Sequence, residues 1–169
     1  MSLKLILGTV QFGLNYGINN SKGKPNWDRV KEILNYAHAK NIVFLDTAEA
    51  YGDSQKIIGK FHKQSANRFN IITKYSASED DLPSGIIDRV KANIEILGVD
   101  SLYCYMFHSY SDYQTYYSGF KDSIIFLKKK GLISKFGVSV YDNNEIEALL
   151  ACEEIDVIQL PFNLLDNKS

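Results

Sequence analysis

Short apolar segments alternate along the chain with longer amphipathic segments. Six apolar runs that are rich in β-branched and aromatic residues predict strands, at residues 4–8, 41–46, 69–74, 102–108, 133–140 and 155–160. Apolar residues at helical spacing predict helices over 27–40 and 83–98, and further helices are predicted over about 53–62, 118–130 and 143–151. Pro83 and Ser84 mark the start of the second helix, and Gly98 marks its end. Strands that alternate with helices predict a parallel sheet, because a parallel pair needs a crossover connection.

The predicted strands are apolar along their whole length, which indicates a sheet covered on both faces. Two architectures fit this pattern: an open doubly wound sheet, or part of a (β/α)₈ barrel. The first predicted strand leads into GTVQFG, where Gly8 and Gly13 do not have the spacing of the dinucleotide-binding motif G-x-G-x-x-G. The segment GINNSKGKP at residues 17–25 lacks phosphate-loop spacing, so we interpret it as a turn.

Composition narrows the class of protein. A chain of 169 residues, 45% hydrophobic and 23% charged, suits one globular domain over residues 1–169. A formal net charge of −1 gives no reason to expect nucleic acid or an anionic membrane as partner. The sequence has no signal-peptide pattern and no apolar run of membrane-spanning length. Cys104 and Cys152 lack metal-ligand spacing, which predicts reduced thiols, no metal site and a cytoplasmic location.

Polar residues end each predicted strand after the first. They are Asp46, Lys74, His108, Ser139 and Gln159, and Tyr51 follows the second strand in its loop. Each has an ordinary structural explanation taken alone, such as a turn cap, a solvated cation or a hydrogen-bonded core histidine. Parallel strands bring their carboxyl ends to one edge, where these side chains could meet and perturb each other's pKa values.

The chemistry of four of these groups suggests a proton relay. A phenol titrates near 10, so Tyr51 needs a nearby cation such as Lys74 to lower its pKa and make it a useful acid. Asp46 would be the counterion of Lys74, and His108 could orient a substrate carbonyl. Such a relay protonates a carbonyl oxygen, whereas no side chain can deliver hydride, so a cofactor is required.

Six motifs in order resemble those of the aldo-keto reductases: LGTVQFG (7–13), LDTAEAYG (45–52), ITK (72–74), FHS (107–109), KFGVS (135–139) and QLPFN (159–163). The resemblance implies a (β/α)₈ barrel that reduces a small carbonyl substrate with NADP(H). It implies a catalytic tetrad of Asp46, Tyr51, Lys74 and His108, with Tyr51 as general acid. It also implies cofactor contacts from Gly8, Thr9, Asp46, Ser139 and Gln159. The opening LGTVQFGLNYGI is similar to a bacterial branch associated with surface sugars, which suggests a sugar or sugar derivative as substrate.

The chain departs from the family pattern in two respects. Val140 stands where many members have an asparagine that contacts the cofactor. The chain also ends just after the sixth predicted strand, whereas a complete barrel takes roughly 250 residues. We therefore expect an incomplete, truncated barrel whose open edges favour self-association, and weaker cofactor binding, because the resemblance assigns the phosphate-binding cluster to the last two βα units.

Two alternatives to an active reductase also fit the sequence. One is a non-catalytic remnant or scaffold that keeps the tetrad by descent. The other is a Schiff-base enzyme that uses Lys74, since barrel aldolases also carry a lysine at a strand end. The tyrosine cluster Tyr110, Tyr113, Tyr116 and Tyr117 could line a substrate entrance, although packing against the barrel is favoured. His38 and His62 lie in predicted helices and are expected to face solvent.

Overall fold

The computed structural model describes residues 5–77 and 85–162. Six parallel strands form one sheet in chain order. The strands are β1 (Leu7–Gly8), β2 (Phe44–Asp46), β3 (Asn70–Tyr75), β4 (Leu102–Phe107), β5 (Ile133–Ser139) and β6 (Val157–Gln159). The helices are α1 (Val10–Gly13), α2 (Trp27–Ala39), α3 (Ser54–Gln64), α4 (Gly85–Leu97), α5 (Tyr110–Lys129) and α6 (Asn143–Leu150). The predicted alternation is confirmed.

The bounds of several elements differ from the prediction. The first, second and sixth strands are shorter than their apolar runs; before β2, Asn41 has a positive φ of 59°. Helix α5 begins at Tyr110, not near residue 118, because Ser109 caps it by accepting a hydrogen bond from the Asp112 N–H. Helix α1 was not predicted. Pro83 and Ser84, the predicted start of a helix, lie outside the described residues.

The register of the strands sorts their side chains onto two faces. Gly8 is paired with Asp46, Asp46 with Ile72, and Lys74 with Met106. Because side chains alternate along a strand, these residues share one face, and Leu45 with its neighbours takes the other. The first face lines the inside of a curled sheet, where Ile72, Cys104 and Met106 form a small apolar cluster. The architecture is an incomplete (β/α) barrel, as predicted.

The opposite face of the sheet packs against the helices and forms the main core. Leu45, Ile71, Phe107 and Val138 are buried there. The four tyrosines of α5 pack against the same core, which confirms the packing interpretation and removes them from the substrate entrance; they are Tyr110, Tyr113, Tyr116 and Tyr117.

His38 and His62 were expected to face solvent, but His62 is buried and His38 is half-buried. His62 is 1% exposed, and its Nδ1 lies 2.7 Å from the carbonyl oxygen of Leu97. Burial lowers the pKa of His62 below its ordinary value. His38 is half-buried with its ring edge-on to Phe69, at 5.5 Å between centroids. The helical pattern did not reveal this because α4 covers His62 from a distant part of the chain.

Within the described residues, no helix has both the length and the apolar character needed to cross a membrane.

Helices α3 and α4 approach closely at Gly59. A Cβ atom there would overlap the carbonyl oxygen of Ile96, a backbone atom that cannot move independently of its helix. Glycine is therefore required at residue 59 by helix packing and not by backbone conformation.

Gly59→Ala should lower the free energy of unfolding by about 1–3 kcal/mol, because the added methyl group forces the two helices apart. Thermal unfolding followed by circular dichroism measures the loss. Gly85→Ala is the matched control, since a Cβ atom at this helical glycine meets no described atom within 4 Å. Equal melting temperatures for the two variants would contradict the close approach.

Candidate active site

The strand register brings the predicted site residues together in steps. Lys74 lies two residues beyond Ile72, the partner of Asp46, and His108 lies two residues beyond Met106, the partner of Lys74. Ser139 is paired directly with Gln159. Since a step of two residues keeps the same face, all these side chains project to the inside of the curled sheet.

Two adjoining cavities contain the site. The smaller, of about 190 Å³, is lined by Tyr51, Lys74, His108, Ser139, Tyr141, Gln159, Leu160 and Pro161. The larger, of about 760 Å³, is lined by Gly8, Thr9, Asp46, Tyr51, Gln159 and a set of apolar residues. Every predicted catalytic or cofactor residue therefore lines at least one of the two cavities.

Asp46 and Lys74 form an ion pair at the centre of the site. The Lys74 ammonium contacts Asp46 Oδ1 and also donates to the Thr47 carbonyl oxygen at 3.2 Å. The side chains are 4% exposed for Lys74 and 13% for Asp46. Neither charge could be buried alone without a large desolvation cost, so the two residues depend on each other. Asp46 is the counterion that the sequence predicts.

Tyr51 lies beside this pair but its acidity differs from the prediction. The Lys74 Nζ atom lies 5.3 Å from the centre of the Tyr51 ring. Burial, followed by the negative charge of Asp46, raises the pKa of Tyr51 to about 12. The expected lowering of the Tyr51 pKa does not occur in the free chain, because burial and the Asp46 charge outweigh the effect of the Lys74 ammonium. Tyr51 therefore carries its proton at neutral pH.

His108 also lies beside Tyr51. Their rings are edge-on, with 5.7 Å between centroids. Burial and then the positive charge of Lys74 lower the pKa of His108 below its ordinary value. A lowered pKa keeps the imidazole neutral at pH 7, so His108 can donate an N–H to an oxygen that enters the small cavity.

Gln159 spans the inside of the curled sheet from its far edge. Its Nε2 donates to Asp46 Oδ2 at 2.5 Å, which joins β6 to β2. Its Oε1 is buried and has no hydrogen-bond partner among the described residues. Such an acceptor suits a ligand that brings an N–H group. Ser139, 8% exposed, lies at the neighbouring position of β5.

Gly8 at the end of β1 and Thr9 directly after it have different surroundings. Gly8 presents no side chain to the larger cavity, and a Cβ atom there would meet no described atom within 4 Å. The Thr9 hydroxyl is buried, donates to the Asp46 carbonyl oxygen at 2.9 Å and accepts from the Ser54 hydroxyl at 2.9 Å. Thr9 therefore supports the backbone of Asp46, and only the surroundings of Gly8 remain open.

Three further residues shape the loop that carries Tyr51: Gly13, Gly52 and Glu49. A Cβ atom on Gly13 would overlap the Tyr51 carbonyl oxygen, and Gly52 takes a positive φ of 55° where a Cβ atom would lie 2.8 Å from the Gly13 carbonyl oxygen. The two glycines thus let α1 press against the loop that carries Tyr51. Glu49, also in that loop, binds four donors on the helical side of the sheet.

Val140, at the position where many family members have an asparagine, contributes no side chain to the two cavities. It is 1% exposed and belongs to the main apolar core.

Across residues 5–77 and 85–162, no group of three or more His, Cys, Asp or Glu side chains could hold a metal ion.

Known proteins resemble this chain over most of its length. NADH-specific methylglyoxal reductase of Escherichia coli K12 is 26% identical over an alignment that covers 96% of this chain and 60% of that protein. Aldo-keto reductase str7 of Strobilurus tenacellus is also 26% identical, covering 78% of this chain and 40% of that protein. In each case the chain spans less than two thirds of its relative.

Solved structures of aldo-keto reductases have a similar fold. The crystal structure of PA4992 from Pseudomonas aeruginosa superposes with a TM-score of 0.79 at 25% identity, covering 96% of this chain and 64% of that one. Aldo-keto reductase AKR11C1 of Bacillus halodurans, in its holo form, gives a TM-score of 0.74 at 19% identity, covering 94% and 53%. The sequence model of the aldo/keto reductase family matches residues 4–169. Since that match covers nearly the whole chain, this protein belongs to the aldo/keto reductase family.

Proposed function

We propose that this chain reduces an aldehyde or ketone to an alcohol with NADP(H), using Asp46, Tyr51, Lys74 and His108. The observation that carries the proposal is the meeting of Tyr51, Lys74 and His108 on one small cavity beside the nearly buried Asp46. Family membership supports carbonyl reduction with a nicotinamide cofactor in general.

The residues present suit such a cofactor at its reactive end. The unpartnered Oε1 of Gln159 can accept an amide N–H, the Ser139 hydroxyl lies beside it, and Gly8 leaves the larger cavity open. The bound cofactor would supply the hydride. Tyr51 donates its proton to the substrate oxygen, and His108 orients that oxygen by an N–H hydrogen bond. The Lys74 ammonium stabilises the phenolate that remains until solvent returns the proton.

The ion pair of Lys74 favours this role over Schiff-base chemistry. An aldolase lysine attacks a carbonyl as a neutral amine, whereas the Lys74 ammonium is held by Asp46 and the Thr47 carbonyl oxygen. In the proposed reaction Lys74 is an electrostatic group and not a nucleophile.

One observation favours the second candidate, a non-catalytic remnant or scaffold. Within the described part of the chain, the residues that line the larger cavity include no lysine or arginine. Cofactor phosphates carry negative charge, so a cavity lined by no lysine or arginine would hold the cofactor by its nicotinamide end alone. This candidate predicts little or no cofactor binding.

The residues around Tyr51 also suggest a class of substrate. We propose a small sugar aldehyde or a related carbonyl compound, because Tyr16 and Tyr141 lie near Tyr51, are 59% and 75% exposed, and offer aromatic faces to a sugar ring. The E. coli relative is named for methylglyoxal and NADH, so both should be tested beside a sugar aldehyde and NADPH.

We also propose a cytoplasmic location, since Cys104 and Cys152 are free thiols.

NADPH should be oxidised slowly in the presence of glyceraldehyde or methylglyoxal, faster than NADH, as followed by absorbance at 340 nm. Tyr51→Phe should lower the rate by about 10²-fold or more, because it removes the proton donor. Tyr36→Phe is the matched control, since Tyr36 lies on α2 and is 67% exposed. If neither cofactor is oxidised and neither raises the melting temperature, the chain is a non-catalytic member of the family.

We further propose that the chain self-associates through its open barrel. Each of β1 and β6 has one strand neighbour in the described sheet, and apolar side chains are exposed beside them, Ile6 at 48% and Phe162 at 70%. A second copy would bury this surface.

Sedimentation velocity should detect a dimer or larger species whose fraction rises with concentration. Phe162→Asp should shift the distribution to the monomer, because it adds a charge to the exposed apolar surface beside β6. Leu150→Asp is the control, since Leu150 is 74% exposed on α6, outside the lining of both site cavities. A wild-type chain that stays monomeric at every concentration would rule the proposal out.

A further inference from the structure

Glu49 lies in the loop between β2 and α3, three residues after Asp46 and two before Tyr51. Its side chain is only 15% exposed and is absent from the lining of both site cavities. It contacts Tyr105, a residue of the core between the sheet and the helices. Glu49 therefore points to the side of the sheet opposite to Asp46 and Tyr51.

Four donors saturate the carboxylate of Glu49. Oε2 accepts from Arg89 Nη1 at 2.6 Å and from the Ser76 N–H at 3.1 Å. Oε1 accepts from Asn93 Nδ2 and from the Tyr105 hydroxyl, both at 2.7 Å. A buried carboxylate is tolerated when it is paired and fully hydrogen-bonded, and this one meets both conditions. Burial and the Glu49 charge raise the pKa of Tyr105 well above its ordinary value, so its hydroxyl remains a donor.

The partners of Glu49 are themselves held in place. Asn93 Nδ2 also donates to the Arg89 carbonyl oxygen at 2.8 Å, and Asn93 Oδ1 accepts from Gln55. Gln55 in turn donates to the Thr73 hydroxyl at 2.8 Å. The network thus joins α3, α4, β3 and the loop, and Gln55, Thr73 and Asn93 are buried within it. A carboxylate bound to such a network has little freedom to move.

The same loop is tied to the end of β3 through the backbone. The Glu49 N–H donates to the Lys74 carbonyl oxygen at 3.1 Å, and the Lys74 ammonium donates to the Thr47 carbonyl oxygen at 3.2 Å. The Ser76 N–H, which binds the Glu49 carboxylate, lies two residues after Lys74. The segment that carries Tyr51 and the strand end that carries Lys74 are therefore one hydrogen-bonded unit.

We propose that Glu49 is a positioning residue, whose carboxylate holds the β2–α3 loop against the end of β3 so that the Tyr51 ring stays beside Lys74 and His108. The catalytic consequence rests on the proposed reductase function. The placement of Tyr51, however, can be measured without turnover. A role in stability alone would lower the melting temperature and leave Tyr51 in the same surroundings.

Glu49→Gln is the informative variant, because it keeps the shape of the side chain, removes the charge and turns an NH₂ group toward donors. Glu154→Gln is the matched control. Glu154 accepts from Tyr117 at 2.7 Å and pairs with Lys121 at 2.9 Å, is 20% exposed, and lies outside both site cavities. Both variants thus lose a carboxylate with a phenol and a cation as partners.

The main measurement is the titration of Tyr51 by NMR of tyrosine labelled at ¹³Cζ, with the signal identified by its loss in Tyr51→Phe. In the wild type and in Glu154→Gln, Tyr51 should stay protonated beyond the range of ordinary tyrosines. In Glu49→Gln its pKa should fall by about one unit or more, because a released loop exposes the phenol to water. In the turnover assay, kcat should fall about tenfold or more, with a smaller change in KM.

An unchanged Tyr51 titration in Glu49→Gln, with a lowered melting temperature, would overturn the proposal and leave a structural role. A wild-type chain without turnover would contradict the reductase function, while the titration would still decide the role of Glu49. If Glu49→Gln does not fold, Tyr105→Phe removes one donor and keeps the ring. It should shift the Tyr51 titration in the same direction, and no shift would count against the proposal.

Discussion

The ion pair of Asp46 and Lys74 is the interaction on which the site depends. Both charges are nearly buried on the inside of the curled sheet, and each makes the burial of the other tolerable. Asp46 also receives Gln159 from the far edge of the sheet, and Lys74 reaches the loop that leads to Tyr51. Three separate parts of the chain are thus held at one point, and Tyr51 and His108 take their places around it.

The two faces of the sheet carry different groups of the site. The inner face carries the polar groups that we propose meet a substrate, whereas the outer face carries apolar residues and the polar network of Glu49. Glu49 connects the two, because its backbone lies in the loop of Tyr51 and its carboxylate lies among the helices. The position of the proposed acid is therefore set partly by contacts on the far side of the sheet. Substitutions at α4 can change the site without touching its cavities.

In the free site Tyr51 keeps its proton, and it can donate that proton only when negative charge develops on a substrate oxygen beside it. With Asp46 balancing Lys74, burial dominates the surroundings of Tyr51 and raises its pKa to about 12. A negative substrate oxygen forming beside Tyr51 and neutral His108 would draw the proton away, and Lys74 would then stabilise the phenolate. The four proposed proton-transfer residues lie together in a chain that spans 64% of PA4992.

The sequence by itself determined the class of fold and the set of polar residues at the strand ends. Apolar runs separated by amphipathic stretches specify alternating strands and helices, and parallel strands leave their carboxyl ends at one edge. Tertiary structure decided what a local pattern cannot contain. The burial of His62, the raised pKa of Tyr51 and the four partners of Glu49 all come from distant segments of the chain. Such effects depend on which groups become neighbours after folding, and neighbours far apart in sequence leave no periodic signal.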